Sequence, residues 1–155
     1  GRRVSRYEAL SIIERNQKDG FVLQPSNTEK AEFICSCCGC CCHAFRMINE
    51  FDAPNSIAPP HFMPKVDESK CTYCGKCALA CPMGALTVDT KGKTLKRLEY
   101  RCIGCGLCAL ACDKEKAISM EPVPEYRPPF KNWFILGARF MPGTLKTAWR
   151  VWRSR

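Results

Sequence analysis

The chain has few of the patterns that carry catalysis and no long apolar run. The apolar segment Trp133 to Met141 contains Arg139, ends at Pro142 and is too short to span a bilayer. No apolar stretch follows the arginines of the opening Gly-Arg-Arg-Val, so nothing there reads as a secretory leader. That opening is not a natural initiation sequence, which suggests a fragment or a processed chain. No nucleotide-binding loop, nucleophile–base set or open metal site is visible, and no small-molecule substrate is evident. Covalent c-type haem is excluded, because Gly39 stands where that motif needs a cysteine four residues before His43. His61 stands alone and reads as a surface or linker residue. Acidic residues are absent from Arg127 onward, where seven Lys/Arg fall, so residues 1–126 hold only +2 of the formal net charge of +9. Excess positive charge concentrated in one short tail, with no reading module, argues against nucleic acid as the partner.

What the chain has in abundance is cysteine, fourteen in 155 residues. That density permits a disulfide scaffold or a metal protein, and the spacing decides for metal. Cys71, Cys74, Cys77 and Cys81 read C-x2-C-x2-C-x3-C, and Cys102, Cys105, Cys108 and Cys112 repeat it. This is the spacing by which thiolates hold a [4Fe–4S] cube, whereas a zinc ribbon uses two C-x2-C pairs. Three cysteines wrap one cluster, and the fourth, after a helical turn, ligates the other. The ligand sets are therefore Cys71, Cys74, Cys77 and Cys112 for cluster 1, and Cys102, Cys105, Cys108 and Cys81 for cluster 2. Each cube with its thiolates carries −2, which leaves the body near neutral and the tail strongly basic. Thiolate-ligated iron needs reduced cysteines, so a cytoplasmic and anaerobic setting fits, in the cytosol or peripheral to the inner face of the membrane. A region this small cannot bury a large apolar core, and clusters would supply the missing one.

At these residues the chain resembles the bacterial-type dicluster 2[4Fe–4S] ferredoxins, over roughly Met63 to Met120. Pro82 follows the first run as in that family, but Asp113 replaces the second proline and one extra residue precedes Ala117-Ile118. A carboxylate there is expected to lower the potential of the nearby cluster. Adding 31 to each position of Cys71–Cys81 gives Cys102–Cys112, and this repetition implies pseudo-twofold symmetry. Short strands are expected at Met63–Val66 with Leu86–Val88, and at Leu98–Arg101 with Ile118–Met120. Ala78-Leu79-Ala80 and Ala109-Leu110-Ala111 fit one helical turn each. Gly75 and Gly106 offer unhindered amides to the sulfurs. Thr72-Tyr73 against Ile103-Gly104 is a difference that can split the two potentials.

A denser stretch lies upstream, with six cysteines between Cys35 and Cys42. Cys35, Cys38 and Cys41 make one C-x2-C-x2-C, the three-ligand half of a cubane motif. A third iron–sulfur cluster is the favoured expectation, with Cys37, Cys40 or Cys42 as fourth ligand, ahead of zinc and of a redox-active thiol site. Gly20–Thr28, Cys35–Cys42 and Asn55–Pro60 resemble a segment of larger multi-cluster ferredoxin-like proteins of anaerobes, which implies an upstream partner domain. Before it, Ser5 and Glu8 form a capping box that opens a helix to Asp19, with Ala9, Ile12, Ile13 and Asn16 on one face. Phe21 to Leu23 fits a short strand. Ala44 to Pro64, with its four prolines, reads as a linker.

The fold class expected is α+β: a pseudo-twofold ferredoxin-like dicluster domain with an N-terminal helical, Cys-rich extension and a C-terminal basic amphipathic helix. The divisions are 1–62, 63–122 and 123–155. After Pro142-Gly143, Thr144 can cap that last helix, with Leu145, Ala148, Trp149 and Trp152 on one face and Lys146, Arg150 and Arg153 on the other. The tail Trp133–Arg155 suits docking to an acidic groove of a partner oxidoreductase subunit or upstream domain, ahead of a membrane surface. With every cubane position filled by cysteine, the expected role is an electron-transfer component of an oxidoreductase, relaying single low-potential electrons. Two other roles remain open: a catalytic thiol/disulfide or unusual-cluster site at Cys35–Cys42 fed by the clusters, and a redox-sensing interaction module.

Overall fold

Three pairs of short strands and a handful of helical turns, most of them brief, build this chain. The computed structural model describes residues 1–153, and the side chains of that span apart from residues 55, 140, 142–148, 150 and 151. The chain falls into two units, one of Gly1–Gln24 with Cys35–Arg127, the other of Pro25–Ile34 with Pro128–Arg155.

In the first unit, α1 spans Arg6–Lys18. Ser5 caps it, its Oγ accepting from the Glu8 amide at 3.1 Å. The Glu8 carboxylate pairs with Arg2. Gly20 takes the left-handed conformation that ends the helix, with φ +82°. Ala9, Ile12, Ile13 and Asn16 are half-buried, and Asn16 Nδ2 donates to Ser36 Oγ at 2.7 Å. Strands β1 (Val22–Pro25) and β2 (Ile34–Cys37) pair.

Helix α2, His43–Phe51, occupies much of the stretch expected to be linker. Phe45 and Ile48, at i and i+3, are its buried face, while the prolines that suggested a linker all lie after it. Asp52, at φ 48°, closes the helix, and its amide donates to Met47 O.

Residues 62–122 contain β3 (Phe62–Val66), α3 (Lys76–Leu79), β4 (Leu86–Asp89), β5 (Thr94–Arg97), α4 (Leu107–Ala111) and β6 (Ile118–Pro122). The strands pair differently from the expected arrangement. β3 runs antiparallel to β6, Pro64 opposite Met120, and β4 antiparallel to β5, Val88 opposite Leu95. The strand before the first cysteine run thus pairs with the strand after the second. The β4–β5 hairpin is set locally, since Asp89 Oδ1 accepts from the amides of Lys91 and Gly92 at 3.0 Å each and closes the turn. Residues 99–101, expected to be strand, form a 3-10 turn that delivers Cys102 to its site.

The core of this unit has two parts. One gathers Val22, Phe45, Ile48, Met83, Ala85 and Leu107, with Cys37, Cys42, Cys81, Cys102 and Cys105 packed against it. The other gathers Cys77, Leu86, Cys108 and Ile118, bordered by Val66, Val88, Leu95 and Cys112. Helix α2 is fastened to the turn after Cys81 by polar contacts as well. Arg101 donates from Nε to Met83 O at 2.9 Å, from Nη1 to Asp52 Oδ1 at 2.8 Å and from Nη2 to Asn49 Oδ1 at 3.2 Å. Asn49 Nδ2 donates to Pro82 O at 3.0 Å. Phe45 is fully buried at this junction. Phe45→Ala is expected to lower the stability of the folded chain by about 3–5 kcal/mol, read as unfolding at lower denaturant.

In the second unit, Ser26 and Thr28 are buried and share a hydrogen bond of 3.2 Å. Thr28 bridges to Phe130, and the Glu29 amide donates to Phe130 O at 2.8 Å. Phe33 stacks on Trp133 with ring centroids 5.9 Å apart. Helix α5 runs unbroken over Trp133–Arg153, through Pro142-Gly143, where a stop and a new start were expected. Proline removes one backbone rung, and a 21-residue helix retains rungs on both sides of it. Trp149 and Trp152 are exposed, and the Arg153 guanidinium lies 5.0 Å from the Trp149 ring centroid. The side chains of Leu145, Lys146, Ala148 and Arg150, also assigned to the faces of this helix, lie outside the described residues.

Candidate metal centres

Each cysteine run makes the same sharp turn. In the first, Tyr73 has φ 54° and Gly75 φ 80°; in the second, Gly104 has φ 66° and Gly106 φ 78°. Gly75 and Gly106 stand directly before α3 and α4, where an ordinary residue would be strained. Tyr73 and Gly104 occupy equivalent places, and packing explains why they differ. A Cβ on Gly104 would collide with the carbonyl oxygen of Phe62 and come within 2.6 Å of Pro60 Cβ. The segment leading into β3 crosses the second run closely and leaves no room for a side chain.

Two cavities result. One is lined by Cys71, Cys74, Cys77 and Cys112, with Tyr73, Val88, Leu95, Glu115 and Ile118. The other is lined by Cys81, Cys102, Cys105 and Cys108, with Pro64, Met83, Leu86, Ile103 and Met120. Three thiols from one run and one from the other meet in each. This donor set, all sulfur in a mostly apolar surround, fits a [4Fe–4S] cluster.

The cavities differ in exposure. Cys74 is exposed at the first, whereas at the second Cys108 is buried and the other three thiols are half-buried. Burial pushes the Cys77, Cys102 and Cys105 thiols up, and Cys108 up to about 12. The amides of Ala78, Gly104, Leu107 and Ala109 act in the opposite direction, by donating to those same sulfurs. Each donor lies one or two residues after its cysteine. The Ala85 amide also donates to Cys81 Sγ at 3.3 Å.

Glu115, which the cysteine spacing gave no reason to single out, lines the first cavity, with Oε2 buried and lacking a hydrogen-bond partner among the described residues. The extra residue after Cys112 was the available signal. A carboxylate here opposes adding an electron to a cluster held by the first cysteine set. Glu115→Gln is expected to raise that cluster's potential by on the order of tens of millivolts, leaving the other unchanged, in a redox titration followed by EPR.

The six upstream cysteines separate into two threes. Cys38, Cys40 and Cys41 bring their sulfurs within 4.8 Å of one another, Cys38 and Cys41 to 3.1 Å. Cys35 belongs elsewhere: it and Cys42 hydrogen-bond to Cys37, whose thiol is pushed up to about 12, first by burial and then by these neighbours. Hydrogen bonds from Cys40 and Cys41 bring Cys38 down to about 6, and Cys41 is raised to about 11 by Cys38 and Cys40. The structure therefore brings together Cys38 and Cys41 of the predicted third set, and not Cys35. Gly39 rests on the first run, since a Cβ there would lie 2.8 Å from Pro82 O. His43 is exposed, and so is His61, which stacks on Tyr126 with centroids 3.7 Å apart.

Among the described residues, no helix is long and apolar enough to cross a membrane. Residues 64–120, somewhat over a third of the chain, match the family model described as a 4Fe-4S dicluster domain. No curated protein matches the chain.

Proposed function

From a dicluster ferredoxin-like domain at residues 64–120, we propose that this chain is an electron-transfer domain or subunit. It relays single low-potential electrons through two [4Fe–4S] clusters to a partner oxidoreductase. One observation carries the reading: each cavity is lined by four cysteines, so every iron has a protein thiolate and none is left for substrate. When bound, each cluster supplies a one-electron redox centre.

The chain's own residues set the direction of traffic. Cys74 and its neighbour Thr72 are exposed, which makes the first cavity the side of exchange with a soluble partner. The second cavity lies under α2 and the Cys35–Cys42 run, because Cys37 and Cys42 pack on the same buried residues as Cys81, Cys102 and Cys105. That run supplies a third thiolate centre beside the second cavity. The pairing of β3 with β6 and β4 with β5, and the matching turns at Gly75 and Gly106, support a pseudo-twofold domain. The basic tail from Trp133 onward, with no acidic residue and with Trp149 and Trp152 exposed, suits the acidic groove of the partner. The cysteine chemistry suits the reducing cytoplasm of an anaerobe.

The test is iron and sulfide analysis of anaerobically purified protein, with EPR during stepwise reduction. About eight irons at the ferredoxin cysteines and two one-electron signals at low potential are expected. Zinc in place of iron, or sulfur–sulfur bonds among these eight cysteines, would leave no conducting centre.

A further inference from the structure

We propose that Cys38, Cys40 and Cys41 form an open site for a single thiophilic metal ion of the zinc class. The inference deepens the reading of a third thiolate centre and rests on it, but it replaces the expected cube with one ion.

Spacing carries the distinction. Zinc–thiolate bonds are about 2.3 Å, so two thiolates on one tetrahedral ion lie about 3.8 Å apart and never more than about 4.6 Å. The three sulfurs here fall within 4.8 Å of one another, with Cys38 and Cys41 3.1 Å apart, so gathering them on one ion needs only small side-chain movements. In a four-iron cube each cysteine binds a different iron, which holds the sulfurs further apart. The same molecule supplies the contrast: among the described residues, neither ferredoxin set brings three sulfurs within 4.8 Å.

The site is also fixed and open. Gly39 lies against the Pro82 carbonyl, and Asn49 Nδ2 donates to both Pro82 O and Gly39 O, at 3.0 and 3.5 Å. Those contacts hold the Cys38–Cys41 loop to the turn that follows Cys81. Cys40 and Cys41 are exposed and Cys38 is half-buried. No histidine or carboxylate among the described residues joins the three sulfurs, so the fourth position faces solvent. Three protein ligands with an open fourth position is the arrangement of a site that takes an exogenous ligand, here water or a thiolate. An all-sulfur donor set selects soft and borderline ions against magnesium or calcium.

Titration of the cluster-loaded, oxidised protein with Co2+ under anaerobic conditions tests this. Oxidised [4Fe–4S] clusters are silent in EPR, so high-spin Co2+ in a sulfur site is seen directly. One Co2+ per chain is expected, displaced by an equivalent of Zn2+. Cys38→Ser, Cys40→Ser and Cys41→Ser are each expected to weaken Co2+ binding about tenfold or more, with about eight irons retained. Cys35→Ser leaves Co2+ binding unchanged. Loss of about four further irons in the Cys38 or Cys41 variant would establish a third cube and overturn the single-ion site. Co2+ binding indifferent to all three substitutions would also overturn it, as would a Cys38–Cys41 disulfide that persists under reduction and blocks the ion. Absence of iron from the eight ferredoxin cysteines, with Co2+ still held by these three, would instead sink the electron-transfer reading alone.

Discussion

Stripped of iron and sulfide, residues 62–122 are expected to lose their fold. The strands there are four or five residues long and lie in two-stranded sheets, which are marginal in water even when well packed. Helices α3 and α4, of four and five residues, are far below the length that sustains itself. Between these elements lie the two cysteine-lined cavities, which separate two small apolar clusters and leave no single continuous core. A region this small buries too little apolar surface to be stable alone, so metal–thiolate bonding supplies the folding free energy. The chain therefore collapses or unfolds without its clusters. Because α2 packs on Met83, Ala85 and Leu107, the loss extends to it. Hydrogen exchange on chelator-treated protein measures this: amide protection in β3–β6 and α2 should fall to that of an unfolded chain. Protection that survives would show a core sufficient without metal.

Which cysteines line which cavity was legible in the sequence because the constraint is local: three cysteines within seven residues define each turn, and the helical turn that follows redirects the fourth. Strand partners were not, because pairing is a long-range choice. Nothing within Met63–Val66 says that Ile118–Pro122, rather than Leu86–Val88, lies beside it; the Asp89 hairpin makes that choice by occupying β4 with β5. Helix α2 carried its signal at Phe45 and Ile48, but in a nine-residue helix that signal is two residues, and the prolines that follow outweighed it. The separation of the six upstream cysteines into Cys35, Cys37 and Cys42 against Cys38, Cys40 and Cys41 was hidden for another reason. Even spacing suggested Cys35, Cys38 and Cys41, yet β2 runs to Cys37 and α2 begins at His43, so the loop between them folds on itself. Glu115 lay hidden for a similar reason: one inserted residue turned a loop side chain inward.

Serine substitutions in pairs should show the crossed ligation directly. Cys112 belongs to the second run by sequence but lines the cavity of Cys71, Cys74 and Cys77, and Cys81 lines the cavity of Cys102, Cys105 and Cys108. Cys112→Ser is therefore expected to damage the cluster of the first run, converting it to a three-iron form or emptying it. The mirror variant Cys81→Ser should do the same to the other. Residues that act on one centre are non-additive, and those on separate centres add. The double variant Cys71→Ser/Cys112→Ser should then lose little more iron than either single variant and keep about four irons in one intact cluster. Cys102→Ser/Cys112→Ser should damage both clusters, and with both gone the fold should fail as expected of the iron-free chain. Iron counts and the three-iron EPR signal distinguish the cases. If Cys71→Ser/Cys112→Ser empties both sites while Cys102→Ser/Cys112→Ser spares one, each run closes on its own cluster and the exchange of fourth ligands is wrong.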